Sequence, residues 1–310
     1  MNQDIQIEFA PLQGYTDAIY RTAHNQIFGG IDHYYSPFIR KEHGEIRRKD
    51  FRDILPENNL GLNLIPQIIF KDADEFDFLV KEIKEIGYNR IDLNLGCPFP
   101  MQTKRGRGAA ILANPATFAS IVESINKHSD ISFSLKMRIG MDNPTEFIAL
   151  MPMINATNFN QITVHPRIAK QQYTGLVNLD SFGELLAMCN HKIVYNGDLN
   201  SLDDIKRITT MFPKISGIMI GRGLLSHPSL ATEFKLGIEL GETEIISKIA
   251  QMHNMIYDYY SQTLQGESQL LMKMKTFWEY LEPVIGKKSY KLIKKSININ
   301  KYEQAIQQIK

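Results

Sequence analysis

The sequence predicts an α/β protein with a (β/α)8 TIM barrel followed by a small C-terminal helical domain. Strand-like and helix-like segments alternate as far as about residue 240, and strict alternation implies parallel strands. The strand-like segments number eight, which suits a closed barrel. From residue 243 onward the strand signals stop. We therefore predict a barrel domain at residues 1–240 and a helical domain at residues 243–310.

The predicted strands are short apolar runs that end at glycine, proline or a polar residue. The first of them stops at Pro11. In chain order the strands are IQIEFA, DHYYSPF, LIPQIIF, RIDLNLG, SFSLKMR, QITVH, KIVYNG and GIMIG.

The predicted helices are longer segments whose apolar residues recur every three or four positions. In DADEFDFLVKEIKEIG the recurring positions are Phe76, Leu79, Val80, Ile83 and Ile86, and Gly87 is a suitable stop. Asp17 is a plausible N-cap for the helix after the first strand. The other barrel helices are DAIYRTAHNQIF, NPATFASIVESINKH, NPTEFIALMPMIN, LDSFGELLAMC, SLDDIKRITTMF and a short piece after SHPSLATEF. Three C-terminal helices, at 242–264, 270–286 and 298–310, are separated by Gly266 and Gly286.

The rival fold is an open doubly wound sheet, which normally carries a glycine-rich dinucleotide turn after its first strand. Here the first strand runs into APLQGYTD, which is not that turn. GRGLLS at residues 221–226 is a partial match only, with serine in place of the last glycine. The barrel is therefore the favoured fold.

Composition excludes several classes of protein. The 310 residues are 43% hydrophobic and 22% charged, which is ordinary for a folded soluble protein. The only two cysteines, Cys97 and Cys189, provide neither a disulfide framework nor a metal cluster, so we expect reduced thiols, no metal and a cytoplasmic location. We see no secretory signal and no apolar run long enough to cross a bilayer. A net charge of +1 means that any nucleic-acid site must be a local patch.

The ends of the predicted strands carry most of the residues with useful chemistry. In barrels of this type the functional site lies at the C-terminal ends of the strands. Each residue has a mundane interpretation when taken alone, such as a solvated lysine or a structural histidine, but together they would share one rim. They are Pro11, Leu12, Gln13, Gln67, Asn94, Cys97, Lys136, Arg138, His165, Arg167, Asn196, Gly197, Asp198, Gly221, Arg222 and Gly223.

The last two strands indicate a phosphate site. Loops after the seventh and eighth strands commonly bind phosphate in these barrels. Glycine in NGD and GRG lets backbone N–H groups approach an anion, and Arg222 adds a charged partner. A phosphate of a cofactor or substrate is therefore expected there.

Six motifs in this order resemble the FMN-dependent tRNA-dihydrouridine synthase family. They are APLQGYTD, DLNLGCP, KMRIG, VHPR followed by Q.Y.G, NGD and IGRG, and the resemblance extends over nearly the whole chain. The sequence departs from the family pattern at Pro166, where many members have glycine or alanine, and at Gln13, where methionine is frequent. The resemblance implies FMN, a nicotinamide reductant that is usually NADPH, and a tRNA substrate.

The resemblance also implies roles for the strand-end residues. Hydride would pass from reduced FMN to C6 of a tRNA uracil, and Cys97 would be the general acid that protonates C5, because an ordinary thiol is mostly protonated at neutral pH. Asn94 would hold the flipped-out uracil, and Arg167 would lie on the substrate side. The predicted FMN-binding residues are Pro11, Leu12, Gln13, Gln67, Lys136, His165, Asn196, Gly197, Asp198, Gly221 and Arg222. Cys189, within LLAMCN, is expected to be an inert core thiol.

Two basic patches are candidates for contact with the rest of the tRNA. TKRGRG at 103–108 includes Lys104 and Arg105 and follows the Cys97 loop. GKKSYKLIKKS at 286–296 includes Lys287 and Lys291, and Tyr290 among the lysines favours RNA because it can stack on a base. In this interpretation residues 1–240 are the FMN-binding catalytic domain and residues 243–310 the tRNA-binding domain.

Three other functions stay open at the level of sequence. One is an FMN barrel oxidoreductase of the dihydroorotate dehydrogenase type that acts on a free pyrimidine. Another is a Schiff-base aldolase that uses Lys136 and no flavin. The third is a non-catalytic tRNA-binding folding factor. The sequence also leaves open which uridine is reduced, whether NADPH or NADH is used, and the oligomeric state.

Overall fold

A computed structural model describes residues 5–309 of the chain, so the predicted domain ends at residues 1–4 and 310 lie outside it. Its strands are β1 (Gln6–Phe9), β2 (His33–Tyr35), β3 (Lys41–Glu42), β4 (Glu45–Ile46), β5 (Leu64–Ile65), β6 (Gln67–Ile68), β7 (Arg90–Leu95), β8 (Ser132–Gly140), β9 (Phe159–Ile168), β10 (Ile193–Asn196) and β11 (Gly217–Ile220). Its helices are α1 (Ala18–Ile27), α2 (Arg48–Asp53), α3 (Ala73–Glu85), α4 (Pro100–Thr103), α5 (Pro115–Ile125), α6 (Met151–Ala156), α7 (Leu179–Met188), α8 (Leu202–Met211), α9 (Arg222–Ser226), α10 (Leu230–Leu236), α11 (Glu242–Thr263), α12 (Glu267–Phe277), α13 (Glu282–Lys295) and α14 (Ile299–Ile306).

The parallel strands form a barrel. Within the described residues they make one sheet of nine strands in the order β5-β2-β1-β11-β10-β9-β8-β7-β6. Only Pro66 separates β5 from β6, and its carbonyl accepts a bond from the Asp92 N–H at 2.9 Å. Proline has no N–H to donate, so it interrupts the ladder of hydrogen bonds. The segments β5 and β6 are therefore two parts of one strand of the barrel. Counting β5 and β6 as one position gives eight, and the predicted (β/α)8 barrel is confirmed.

The helix after the third strand shows how the sequence determines these elements. Asp72 caps α3 by accepting a bond from the Glu75 N–H at 2.9 Å. The predicted apolar face of α3 is buried except at Ile86, which is the C-cap and is partly buried, and Gly87 ends the segment at a φ of +107°. No element was predicted for the chain between β2 and β5, and it forms an antiparallel hairpin, β3–β4, and the short helix α2.

Asp17 occupies the predicted N-cap position of α1, but its carboxylate does not cap the helix. It accepts bonds from the Tyr260 hydroxyl and, at 3.0 Å, from Lys273 Nζ. The Ala18 N–H that begins the helix donates instead to Asp53, at 2.7 Å. Asp17 therefore connects the first barrel helix to α11 and α12, because those partners offer it a stronger, charge-assisted set of bonds.

The C-terminal helices are interrupted at the two glycines that the sequence predicts. Gly266 and Gly286 adopt φ angles of +87° and +77°, so each interrupts the helical path as expected. The predicted helix at 270–286 is divided, because α12 ends at Phe277 and α13 begins at Glu282. Buried Trp278 donates to the Tyr302 hydroxyl at 2.8 Å, and both belong to the same apolar core as the barrel. None of the described helices is long and apolar enough to cross a membrane.

Candidate active site

A cleft of about 330 Å³ opens at the C-terminal ends of the barrel strands. Fifteen of the sixteen strand-end residues named above line it, because parallel strands bring all their C-terminal ends to one rim. They are Pro11, Leu12, Gln13, Gln67, Asn94, Cys97, Lys136, Arg138, His165, Asn196, Gly197, Asp198, Gly221, Arg222 and Gly223.

Cys97 lies on the loop that follows β7, and its backbone is fixed by Asn94. The Asn94 Oδ1 accepts bonds from the N–H groups of Gly96, at 3.0 Å, and of Cys97, at 2.8 Å. Burial raises the pKa of the Cys97 thiol, and a hydrogen bond from the Phe99 backbone N–H and the nearby cations oppose this only in part. The thiol is therefore protonated at neutral pH and can donate a proton.

Gly108 holds the other side of the Cys97 loop, which the sequence analysis did not anticipate. A Cβ at this position would lie 2.8 Å from the Cys97 carbonyl oxygen and 2.9 Å from the Cys97 Cβ, and the φ of Gly108 is +61°. The Ala109 N–H also donates to the Cys97 carbonyl at 3.1 Å. Only glycine fits this approach without moving Cys97.

Lys136 presents an amine on the wall of the cleft. Its Nζ donates to Asn196 Oδ1 at 2.8 Å, and the Asn196 amide in turn donates to the Met219 carbonyl at 2.7 Å. Burial, with a smaller contribution from the Arg138 guanidinium, lowers the pKa of Lys136 to about 8. The ammonium form still predominates at pH 7, so the cleft has a fixed positive charge.

His165 is neutral in this environment. Burial lowers its pKa well below the usual range, and surrounding cations act in the same direction. Its Nε2 lies 3.1 Å from Arg167 Nη1. Because a guanidinium can only donate, Nε2 accepts and the imidazole proton is on Nδ1.

Arg167 is held behind the wall and does not line the cleft. Its guanidinium pairs with both carboxylate oxygens of Asp198 and donates to the Gly175 carbonyl at 2.6 Å. The predicted strand QITVH ends at His165, whereas β9 continues to Ile168 and places Pro166 and Arg167 inside the strand. The Pro166 carbonyl accepts from the Asn178 N–H at 2.7 Å, and the pairing of β8 with β9 is irregular over this stretch, between Arg138 and Gly140 of β8.

The loops after β10 and β11 pack directly on each other. A Cβ on Gly223 would lie 1.9 Å from the Leu199 carbonyl oxygen, so glycine is required there. Asp198 adopts a φ of +45°, a conformation that aspartate tolerates better than most residues. Its Oδ1 also lies 3.4 Å from Arg222 Nη2. This contact connects the two predicted phosphate loops.

The predicted tRNA-contacting residues lie outside the cleft. Lys104 and Arg105 are exposed on the loop after Cys97, and Lys287 and Lys291 are exposed on α13. Their neighbour Arg107 is different, because it is buried and forms a two-bond ion pair with Glu75. It is therefore not free to meet a phosphate.

Several aromatic residues of the cleft were not predicted as site residues. Tyr173 stands between two guanidinium groups, with Arg138 Cζ 5.4 Å and Arg222 Cζ 4.9 Å from its ring centre. It belongs to the Q.Y.G part of a motif quoted above, which was the available signal. Tyr280 lies on the turn between α12 and α13 and packs edge to face on Tyr15, with ring centres 5.4 Å apart. No sequence signal placed Tyr280 in the cleft.

Two further findings concern metals and the second thiol. No cluster of three or more metal-ligating side chains occurs among residues 5–309. Cys189 is partly exposed at the end of α7 rather than buried in the core as expected, because it lies beyond the last helical turn that packs inward.

Comparison with known proteins identifies the family. The family model described as dihydrouridine synthase (Dus) matches residues 8–309. The chain belongs to the dihydrouridine synthase family. The tRNA-dihydrouridine(16) synthase of Neisseria meningitidis serogroup B is 30% identical over 241 residues, which are 75% of this chain and 72% of that protein. The enzyme of the same name from Aquipseudomonas alcaligenes is 26% identical over 270 residues, or 83% and 84% of the two chains.

Solved structures support the fold of this dihydrouridine synthase family member. Morphinone reductase superposes with a TM-score of 0.52 at 9% identity, covering 77% of this chain and 88% of the other. Histamine dehydrogenase from Rhizobium sp. 4-9 gives a TM-score of 0.54 at 11% identity, covering 81% and 49%. At these identities the likeness concerns the barrel fold alone.

Proposed function

We propose that this protein reduces a uridine of tRNA to 5,6-dihydrouridine, with FMN as cofactor and NADPH or NADH as reductant. Family membership supports the reaction class. The observation that carries the proposal is a protonated Cys97 thiol on the wall of the same cleft as Lys136 and the two glycine loops. We place the activity in the cytoplasm.

The residues of the cleft fit FMN in their chemistry. Gly223 leaves no side chain between the loops after β10 and β11, Gly221 faces Ala10 and Leu12, and Arg222 lines the cleft beside them. These residues, with Asn196, Gly197 and Asp198, would hold the phosphate end of the cofactor. Pro11, Leu12, Gln13, Gln67 and His165 would border its ring. When bound, FMN supplies the hydride.

Lys136 and Cys97 perform separate parts of the proposed chemistry. The Lys136 ammonium, held by Asn196, provides positive charge where reduction of a flavin adds negative charge. Cys97 supplies the proton that C5 of the uracil needs. Asn94 would bind the uracil through the amide hydrogen of Nδ2 that Gln67 does not accept, since its Oδ1 already accepts two backbone bonds.

The proposed substrate position is uridine 16. Relatives that match about three quarters or more of this chain are named for that position. A human protein named tRNA-dihydrouridine(47) synthase [NAD(P)(+)]-like matches only 47% of this chain, and the match spans 22% of that protein. The longer match favours position 16.

Contacts with the body of the tRNA are assigned to the exposed cations. Residues 1–240 would form the FMN-binding catalytic domain and residues 243–310 the tRNA-binding domain. Lys104 and Arg105 would meet the backbone next to the flipped base, and Lys287 and Lys291 would meet it on α13. Arg167, expected on the substrate side, does not line the cleft and would act indirectly, by positioning His165 and Asp198 against the cofactor.

Mass mapping of dihydrouridine in tRNA from cells that lack the protein tests this function. We expect position 16 to carry unmodified uridine, and the modification to return with the wild-type gene but not with Cys97→Ala. The purified protein should also form dihydrouridine in that tRNA with NADPH and leave free uridine unreduced. Unchanged dihydrouridine at every position, or turnover of free pyrimidines instead, would overturn the proposal.

A further inference from the structure

A continuous series of hydrogen bonds connects a buried carboxylate with the loop that bears Cys97. Ser134 Oγ donates to Asp92 Oδ1 at 2.6 Å, and Gln67 Nε2 donates to Asp92 Oδ2 at 2.7 Å. Asn94 Nδ2 donates to Gln67 Oε1 at 2.7 Å. The Cys97 N–H completes the series by donating to Asn94 Oδ1 at 2.8 Å.

From Asp92 to the loop, every bond in this series has the same direction, with its donor on the side nearer to the loop. The Gly96 and Cys97 amides can only donate, so they require the oxygen of Asn94. The Asn94 NH2 group must then face Gln67, and the Gln67 NH2 group must face Asp92. The series therefore needs an acceptor at its far end, and Asp92 provides it.

We propose that Asp92 is a positioning residue that fixes the Cys97 loop by orienting the amides of Gln67 and Asn94. Asp92 itself is fully buried and does not line the cleft. It therefore acts through the two amides and not by touching a ligand. The inference rests on the proposed catalytic role of Cys97, although the loop geometry exists without it.

The burial of Gln67 in the barrel interior explains why this series of bonds depends on Asp92. Gln67 is fully buried, so its Nε2 has no access to bulk water if the carboxylate is removed. A buried donor without a partner is costly, and the amide is then free to rotate. Rotation of Gln67 would present its NH2 group to the NH2 group of Asn94, which would loosen the anchor of the Gly96 and Cys97 amides.

The test compares variants that break the series with one that keeps it. Asp92→Ala removes the acceptor. Asp92→Asn removes the charge but keeps an oxygen for Gln67, because its NH2 group can face the Ser134 hydroxyl. Ser134→Ala is the matched control, since it removes a bond to the same carboxylate on the side away from the loop. Gln67→Met breaks the next link and serves if Asp92→Ala does not fold.

The first measurement is the rate at which iodoacetamide alkylates Cys97 in the purified protein, followed by peptide mass spectrometry. Cys189 in the same molecule is the internal standard, because it lies at the end of α7 and outside the series. We expect Cys97 to react about tenfold faster or more, relative to Cys189, in Asp92→Ala and Gln67→Met. Asp92→Asn and Ser134→Ala should stay within about twofold of the wild type. Equal acceleration in Asp92→Asn would assign the effect to charge and overturn the positioning role, as would no acceleration in Asp92→Ala and Gln67→Met.

The second measurement separates this inference from the proposed function. Reoxidation of the reduced protein by tRNA should slow in Asp92→Ala and recover in Asp92→Asn, while reduction by NADPH is unchanged in both. If the alkylation result holds but the wild type forms no dihydrouridine, the positioning role stands and the proposed function fails. If the wild type forms dihydrouridine and Asp92→Ala matches it in both measurements, the positioning role fails alone.

Discussion

Replacing Asp92 with asparagine should change how the stability of the protein depends on pH. Asp92 is fully buried, and burial raises the pKa of its carboxyl to about 6, although bonds from Ser134 and Gln67 act against this. The ordinary pKa is 3.8, so the difference is about 2 pH units. At about 1.4 kcal/mol per unit, ionisation of Asp92 costs the folded state about 3 kcal/mol.

The direction of the effect follows from proton binding. Between about pH 4 and pH 6 the folded protein holds the Asp92 proton more tightly than the unfolded chain does. The stability from this proton is fully present below about pH 4 and is lost as the pH rises through about 6. Asparagine has no proton to lose. The wild type should therefore lose about 3 kcal/mol of unfolding free energy relative to Asp92→Asn between about pH 4 and pH 7.5.

Urea unfolding of both proteins at half-unit pH intervals, followed by circular dichroism, measures this difference. Subtracting one curve of unfolding free energy against pH from the other removes the contribution of the carboxylates that both proteins share. Asp130→Asn is the control, because Asp130 is exposed and its pKa is lowered by the bond from Lys84, so its effect has the opposite sign. Parallel curves for the wild type and Asp92→Asn, or a relative gain by the wild type as the pH rises, would refute the reasoning.

Three other substitutions test the cleft and its surroundings. Cys97→Ala should leave reduction of the flavin by NADPH intact and lower dihydrouridine formation about 10²–10⁴-fold; a wild-type rate would show that the thiol is not the proton donor. Arg222→Ala should weaken FMN retention about tenfold, because its guanidinium is partly exposed and one charge-assisted contact is lost; full FMN content after dialysis would contradict the phosphate assignment. Replacing three exposed lysines of α13 with glutamine should weaken tRNA binding and reduce the slope of log K against log salt by roughly 0.7–0.9 per lost phosphate contact, without changing FMN content; an unchanged slope would leave a merely solvated surface. The three lysines are Lys287, Lys291 and Lys294.

The residues on the rim of the barrel could be predicted from the sequence, because the topology of the barrel brings all the strand ends together. In a parallel barrel each strand ends on the same side, so a motif at a strand end reaches the cleft wherever it lies along the chain. Gln67 and Lys136 are far apart in sequence, yet both line the cleft. Arg167 does not line the cleft, because β9 continues past it to Ile168 and Asp198 holds the side chain behind the wall.

The contacts that could not be predicted join side chains from distant segments with no shared period or motif. Asp17 has the sequence context of a helix cap, but Tyr260 and Lys273 take its carboxylate. In the sequence Arg107 belongs to a basic segment that is expected to be exposed, but in the fold it is buried and bound to Glu75. In each case a charged side chain that is buried or partly buried pairs with another side chain instead of with water. Only the fold determines which side chain is within reach.

The protonation of Cys97 determines which chemistry the cleft can perform. Arg138, Arg40 and Lys136 all favour a thiolate, and a thiolate would be a nucleophile. Burial has the larger effect and raises the pKa of the thiol, so the group remains an acid at neutral pH. The bonds from the Gly96 and Cys97 amides to Asn94 hold the loop in that buried position. The same geometry that fixes the loop therefore keeps the proton on the sulfur. A variant that exposes Cys97 should have a lower thiol pKa, so that at neutral pH less of the protonated donor and more of the thiolate that alkylating agents attack is present.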